Sequence, residues 1–161
     1  MRLQNLEKKT ITTLSNDIDS GAMMKIFQNN SYEEFLATSG IKDHSIKIWN
    51  LQENILLGTL IGHQDIISAL EFFCNDKKMF LASASLDKKI KIWDLNSYTM
   101  KNSFEVKSKV YDLICSKSNN ALSIYSIHAN REVVVWSDEV VRVLFKLQKK
   151  GYITTEKSIC H

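Results

Sequence analysis

An all-β fold of repeated four-stranded units is what this sequence predicts, and three observations carry that expectation. The stretch LATSGIKDHSIKIWNL (Leu36 to Leu51) returns as LASASLDKKIKIWDL (Leu81 to Leu95), with a fainter copy LSIYSIHANREVVVWS (Leu122 to Ser137). The tryptophans of the three copies, Trp49, Trp93 and Trp136, stand 44 and 43 residues apart. In each copy a serine lies four residues before an Asp or Asn, which lies six before the tryptophan: Ser39, Asp43, Trp49; Ser83, Asp87, Trp93; Ser126, Asn130, Trp136. A period of this length marks stacked supersecondary units. Apolar residues recur at every second position within each copy, which is the spacing of a strand and not of a helix.

The middle unit reads most clearly. IISALEFF (Ile66 to Phe73) is apolar and β-rich, Asn75 to Lys78 is a polar turn, and Met79 to Ser85 is a second strand. Lys89 to Asp94 is the third, with Ile90 and Ile92 alternating against Lys91 and Trp93, and Tyr98 to Phe104 is the outer fourth. Four strands of this length cannot bury both faces of their sheet alone, so each unit must stack on neighbours like itself, as the blades of a β-propeller do. Arg2 to Leu6 aligns with Lys47 to Leu51, and Tyr152 to Thr155 with the start of the strand at Ile66. The expected division is a blade end at 1–18, blades at 19–61, 62–105 and 106–148, and the start of another at 149–161. The propeller is therefore incomplete, with about three full blades plus two partial ones, where a closed ring of this kind takes about seven. The chain is expected to be a fragment of a longer protein, the alternative being a ring completed by another chain.

Composition sets the outer bounds. With 161 residues, 44% hydrophobic and 24% charged, the chain is apolar enough to fold around a core. The net charge of +3 comes from scattered pairs such as Lys8-Lys9, Lys77-Lys78, Lys88-Lys89 and Lys149-Lys150, which suit turns and edge strands better than a nucleic-acid-binding arm. Cys74, Cys115 and Cys160 include no CxxC pair and are expected as small apolar residues on buried strands, not as a disulfide framework. No apolar run reaches membrane-spanning length, and the start MRLQNLEKKT lacks the apolar stretch of a signal peptide, so the cytosol or nucleus is expected. GxGxxG, GxxxxGK[ST] and HExxH are absent, and Cys160-His161 reads as a strand end and not a metal site. No catalytic residue, cofactor or metal is expected.

Gly62-His63 stands twenty-four residues ahead of Asp87, at the connection into the first strand of the middle unit. With GH, then S-x-x-x-D, then W-D, the unit resembles the WD40 repeat family, and the resemblance extends over nearly the whole chain. It implies a hydrogen-bonded structural tetrad, His63, Ser83, Asp87 and Trp93. A hairpin turning at Asp87 and Lys88 places Ser83 roughly opposite Trp93, so that the indole N–H reaches the serine hydroxyl, the hydroxyl reaches His63, and Asp87 holds the other imidazole nitrogen. A Ser, His and Asp in one network also invites a hydrolase reading. That reading is rejected, because a nucleophilic serine needs exposure and an oxyanion hole, whereas Ser83 sits mid-strand under a tryptophan. The first unit has Asp17-Ile18 where GH would stand, and the third has Val106-Lys107. Their partial tetrads, Ser39, Asp43, Trp49 and Ser126, Asn130, Trp136, are expected to hold looser blades.

Within the family, IWNLQ followed by GHQDIISALEF and IWDLNSYTMKNSFEVKSKVYDL is similar to the tandem-propeller (transducin β-like) subunits of the small-subunit processome, the small nucleolar ribonucleoprotein that processes pre-ribosomal RNA. That resemblance implies a non-catalytic, nuclear or nucleolar scaffold in small ribosomal subunit biogenesis, binding other protein subunits, with any RNA contact indirect and no membrane or small-molecule substrate. A second resemblance, through KDHSIKIWNLQ and GHQDIISALEF, is to the Polycomb propeller subunit that supports a histone methyltransferase. No residues here place that family's methyl-lysine cage, and the extra residue before Asp43 does not fit. A cytoplasmic ubiquitin-ligase or trafficking adaptor is the third reading. The turns at Lys42 to His44, Leu86 to Lys88 and Ala129 to Arg131 are candidate contact surfaces.

Overall fold

A computed structural model of the chain describes residues 23–29, 32–75, 78–118, 121–136, 141–147 and 153–155. The expected blade end at 1–18 and the Cys160-His161 pair lie outside them. Three antiparallel sheets result. The first is β1 (Met24–Gln28), β2 (Glu34–Ser39), β3 (Ile46–Asn50) and β4 (Ile55–Leu60), in that spatial order. The second is β5 (Ile67–Asn75), β6 (Lys78–Ser85), β7 (Lys89–Asp94) and β8 (Thr99–Glu105), again in sequence order. The third is β9 (Val110–Ser118), β10 (Ala121–His128), β11 (Glu132–Trp136) and β12 (Val141–Leu147), with β13 (Ile153–Thr155) added beside β12.

The fold is thus all-β, an incomplete propeller of WD40 type. One local pairing differs from the sequence expectation. Residues 153–155 do not open a further sheet; they pair antiparallel with Phe145 to Leu147 as a fifth strand. An outer strand offers unpaired N–H and C=O groups, which any adjacent extended segment can satisfy.

The middle sheet is buried on both faces, and its alternation divides the core in two. Leu81 and Trp93 face the first sheet in a cluster with Ala37, Ile48 and Leu60. Ala82 and Ile92, one step along each strand, face the third sheet with Leu113, Ile124 and Trp136. The rings of Phe27 and Phe72, 5.5 Å apart, join the innermost strands of the first two sheets, and Lys25 pairs with Glu71 across the same seam.

Each central hairpin turn carries one residue with positive φ: His44 at 54°, Lys88 at 63° and Arg131 at 69°. Backbone hydrogen bonds tie these turns to the connections into the innermost strands. Leu86 N–H donates to Ile66 O, Val106 N–H to Lys88 O, and Ala129 N–H to Lys109 O. Turns and connections therefore share one rim of the stack, while the turns at 29–33, 51–54 and 95–98 occupy the other.

Candidate functional site

In the middle sheet, four side chains from a connection, two strands and a turn form one network. Trp93 Nε1–H donates to Ser83 Oγ at 2.8 Å, Ser83 Oγ lies 2.8 Å from His63 Nε2, and His63 Nδ1 lies 2.7 Å from Asp87 Oδ2. Since Ser83 Oγ already accepts from the indole, its own proton goes to Nε2, which leaves the imidazole proton on Nδ1 facing the carboxylate. Burial pushes the His63 imidazole below its usual range and outweighs the nearby carboxylate. Burial also pushes the Asp87 carboxyl upward, but the His63 bond and the N–H groups of Gln64 and Lys89 together hold it below the usual value. Gly62 precedes the histidine, and a Cβ there would lie 3.2 Å from the Trp93 ring edge, a tight contact.

The register differs from a directly opposed pair. Ser83 pairs with Lys91, and Trp93 pairs with Leu81. Serine and tryptophan are diagonal neighbours on one face, a separation an indole spans and a smaller side chain does not. Ser83 is fully buried and both its hydrogen-bonding directions are occupied. This Ser–His–Asp set therefore has no nucleophile open to a substrate.

The third sheet builds a similar network from a different histidine. Trp136 Nε1–H donates to Ser126 Oγ at 2.7 Å, and Ser126 Oγ lies 2.7 Å from Nε2 of His128, two residues along the same strand. Ser126 pairs with Val134 as Ser83 pairs with Lys91, so the serine and tryptophan are again diagonal. His128 is buried, its Nδ1 faces Ser108 Oγ at 3.4 Å, and burial holds its imidazole below the usual range despite Ser108 and Glu132. Asn130 does not reach the histidine; its side-chain amide donates to Glu132 Oε2 at 2.7 Å. Sequence reasoning missed His128, although its position two after Ser126 places both on one face.

The first sheet corrects the sequence assignment more sharply. Trp49 Nε1–H donates to Thr38 Oγ1 at 3.0 Å and not to Ser39, whose hydroxyl instead accepts from Met23 N–H at 2.9 Å. Thr38 pairs with Lys47, the register position that Ser83 and Ser126 hold. The first hairpin turn is one residue longer, so counting back from Asp43 lands one residue too far along the strand. Matching LAT to LAS finds Thr38 directly.

Asp43, Asp87 and Asn130 share a different role. Each Oδ1 accepts the backbone N–H two residues on, from Ser45 at 3.0 Å, Lys89 at 2.9 Å and Glu132 at 3.3 Å. These are Asx turns, which close the central hairpins without help from glycine. Only Asp87 also holds a histidine. Of the cysteines expected on buried strands, Cys74 is exposed; Cys115 is half-buried against the core, and burial pushes its thiol up to about 12.

A groove of about 250 Å³ opens on the rim of the central turns, where all three sheets meet. Met23, Ile66, Ile67, Leu86, Lys109 and Tyr111 line it.

Residues 54–94 match the family model of the WD domain, G-beta repeat. Over 107 residues the chain is 32% identical to WD repeat and SOCS box-containing protein 1 of Takifugu rubripes, covering 65% of this chain and 24% of that protein. It is also 32% identical over 128 residues to mitochondrial division protein 1 of Neurospora crassa, covering 73% of this chain and 19% of the relative. The chain thus spans a quarter or less of these relatives. Among solved structures, the Cps50 (Swd1) β-propeller domain of Myceliophteria thermophila matches with a TM-score of 0.65 and 23% identity, over 84% of this chain and 43% of that one. The WD40 repeats of RRP9 match with a TM-score of 0.60 and 22% identity, over 74% and 35%.

Proposed function

We propose, from the premise that this is a WD40-repeat chain of β-propeller fold, that it is a non-catalytic scaffold which holds other proteins together through the rim of its central turns. The observation that carries the reading is the division of polar groups. The Ser, His and Asp side chains of the middle blade are consumed in a buried network, while the turns above it present exposed charge beside an apolar groove. Groups locked in the interior hold the blade, and the exposed turns are left to recognise partners.

The finer assignment is a nuclear or nucleolar subunit in small ribosomal subunit biogenesis. Its support is the likeness of IWNLQ, GHQDIISALEF and the segment from Ile92 to Leu113 to tandem-propeller processome subunits. An adaptor of the ubiquitin-ligase or trafficking kind is the second reading, favoured by the 32% identity to WD repeat and SOCS box-containing protein 1. Affinity purification of the protein tagged at its native locus, with mass spectrometry and sequencing of bound RNA, separates them. Ribosome-assembly factors with small nucleolar RNA support the first, ubiquitin-ligase or trafficking components support the second, and a histone methyltransferase points to Polycomb.

A further inference from the structure

We propose that the rim between the second and third sheets docks an acidic polypeptide segment, one aliphatic side chain of which enters the groove beside Ile66 and Tyr111. This rests on the scaffold reading and names the chemistry of its partner. At about 250 Å³ the groove takes one or two side chains, and is below the usual range for a whole small-molecule ligand. Its apolar walls reach the surface, since Ile66 is 39% and Tyr111 57% exposed.

Exposed cations surround it. Lys109 lines the groove with its Nζ 5.6 Å from the Tyr111 ring centre, and Lys107 precedes it in the same connection. Lys88 sits beside them through the bond from Val106 N–H to its carbonyl, and Arg131 lies in the turn whose Ala129 N–H donates to Lys109 O. Lys88, Lys107, Lys109 and Arg131 are all exposed.

The aspartates of this rim each accept a backbone N–H, the exposed Asp112 beside Tyr111 from Leu113 included, so part of each carboxylate is already engaged. Asp43 accepts from Ser45 N–H, Asp65 from Ile66 N–H, and Asp87 from Gln64 and Lys89 N–H besides its contact with His63. On the opposite rim, the described residues of the turns at 29–33, 51–54 and 95–98 include Glu33 and Glu53 and no Lys or Arg, and the start of β6 adds one exposed lysine, Lys78. Among the described residues, exposed cations therefore gather around this groove more densely than on the opposite rim. Single exposed ion pairs are weak, but several cations of one sign steer and select an acidic partner. Single-stranded RNA is the less favoured occupant, because it is gripped by successive stacking platforms and the described residues of this rim offer one exposed ring, Tyr111, beside aliphatic walls.

Fluorescence anisotropy on the full-length protein tests this with a labelled peptide carrying a central leucine flanked by glutamates. The expected result is saturable binding that weakens at least roughly tenfold in the Lys107→Glu/Lys109→Glu double variant and with a glycine-for-leucine peptide, but holds in Lys78→Glu on the opposite rim. Unchanged binding in the double variant, equal loss in Lys78→Glu, or tighter binding of an oligouridylate would overturn the proposal. Native-locus purification of wild type and double variant separates this proposal from the scaffold reading. Partner proteins lost from the double variant support the docking site, and partners retained by both overturn it while keeping the scaffold. Recovery of none from either overturns the scaffold itself.

Discussion

Thr38 and Ser39 are adjacent hydroxyl residues with separable roles, and substitution distinguishes them. Thr38→Val leaves the Trp49 indole N–H buried without an acceptor and is expected to cost about 1 to 3 kcal/mol. Ser39→Ala removes a bond to a backbone N–H near the surface and is expected to cost about 0.5 to 1.5 kcal/mol. Denaturant melts of the two variants check this, and the reverse order would restore Ser39 as the tryptophan's partner. In the middle blade, His63→Ala or Asp87→Ala strands a buried partner and should cost about 1 to 3 kcal/mol, read as a lowered Tm. An unaltered melt would remove the tetrad's structural role. His63 and His128 both have imidazoles held below the ordinary value of 6.5. Below about that pH the unfolded chain binds a proton first, so their contribution to stability is intact at neutral pH and falls as the solution is acidified. Melts from pH 8 to pH 5 should show this decline, and His128→Gln, which keeps a side chain able to bond Ser126 without titrating, should flatten it. A slope unchanged in His128→Gln would show that His128 does not titrate there.

Strands and turns follow the sequence closely where alternation and turn chemistry agree. The expected strand at Lys89 to Asp94 is β7 to the residue, whereas Asn75 and Lys78, the ends of the expected turn, belong to β5 and β6 and pair with each other. The β3 to β4 and β7 to β8 ladders each carry an irregularity immediately before the tryptophan, at Ile48/Trp49 and Ile92/Trp93, whereas β11 to β12 shifts two residues earlier relative to Trp136, at Val133/Val134. Packing between outer elements depends on Gly58 in β4. A Cβ there would lie 2.5 Å from a ring carbon of Tyr98, the half-buried tyrosine at the turn before β8. Gly58→Val is expected to push that ring away and cost about 1 to 3 kcal/mol by overpacking. Tyr98→Ala should relieve most of the clash, so a double-mutant cycle showing simple additivity would place the cost elsewhere.

Three sheets stacked face to face bury the middle one on both sides and leave the outer two with apolar residues on their innermost strands. Met24 and Ile26 of β1 are 63% and 59% exposed, and Ile114 of β9 is 50% exposed. The chain covers 43% of the Swd1 propeller chain it resembles, so a ring of that size has further blades. A polypeptide of these 161 residues alone is expected to self-associate, because open sheet faces and strand edges recruit other chains. Light scattering with a thermal melt checks this, and a monomer with one sharp cooperative transition would contradict it.

The sequence by itself determined the blade. Alternation, a period of 43 to 44 residues, and the GH, Asp and Trp landmarks are local or repeated signals, and they suffice for strand order and for the network of His63, Ser83, Asp87 and Trp93. The tertiary structure decided between two sequence alignments for the first blade's hydroxyl: counting back from Asp43 gives Ser39, matching LAT to LAS gives Thr38, and the strand register places Thr38 under the indole. It also decided that His128 takes the place of an absent GH histidine, a same-face contact with Ser126 that the spacing of two allows but does not require. The basic rim was illegible for the same reason: Lys88, Lys107, Lys109 and Arg131 are scattered in the chain and come together only through the backbone bonds that join turns to connections.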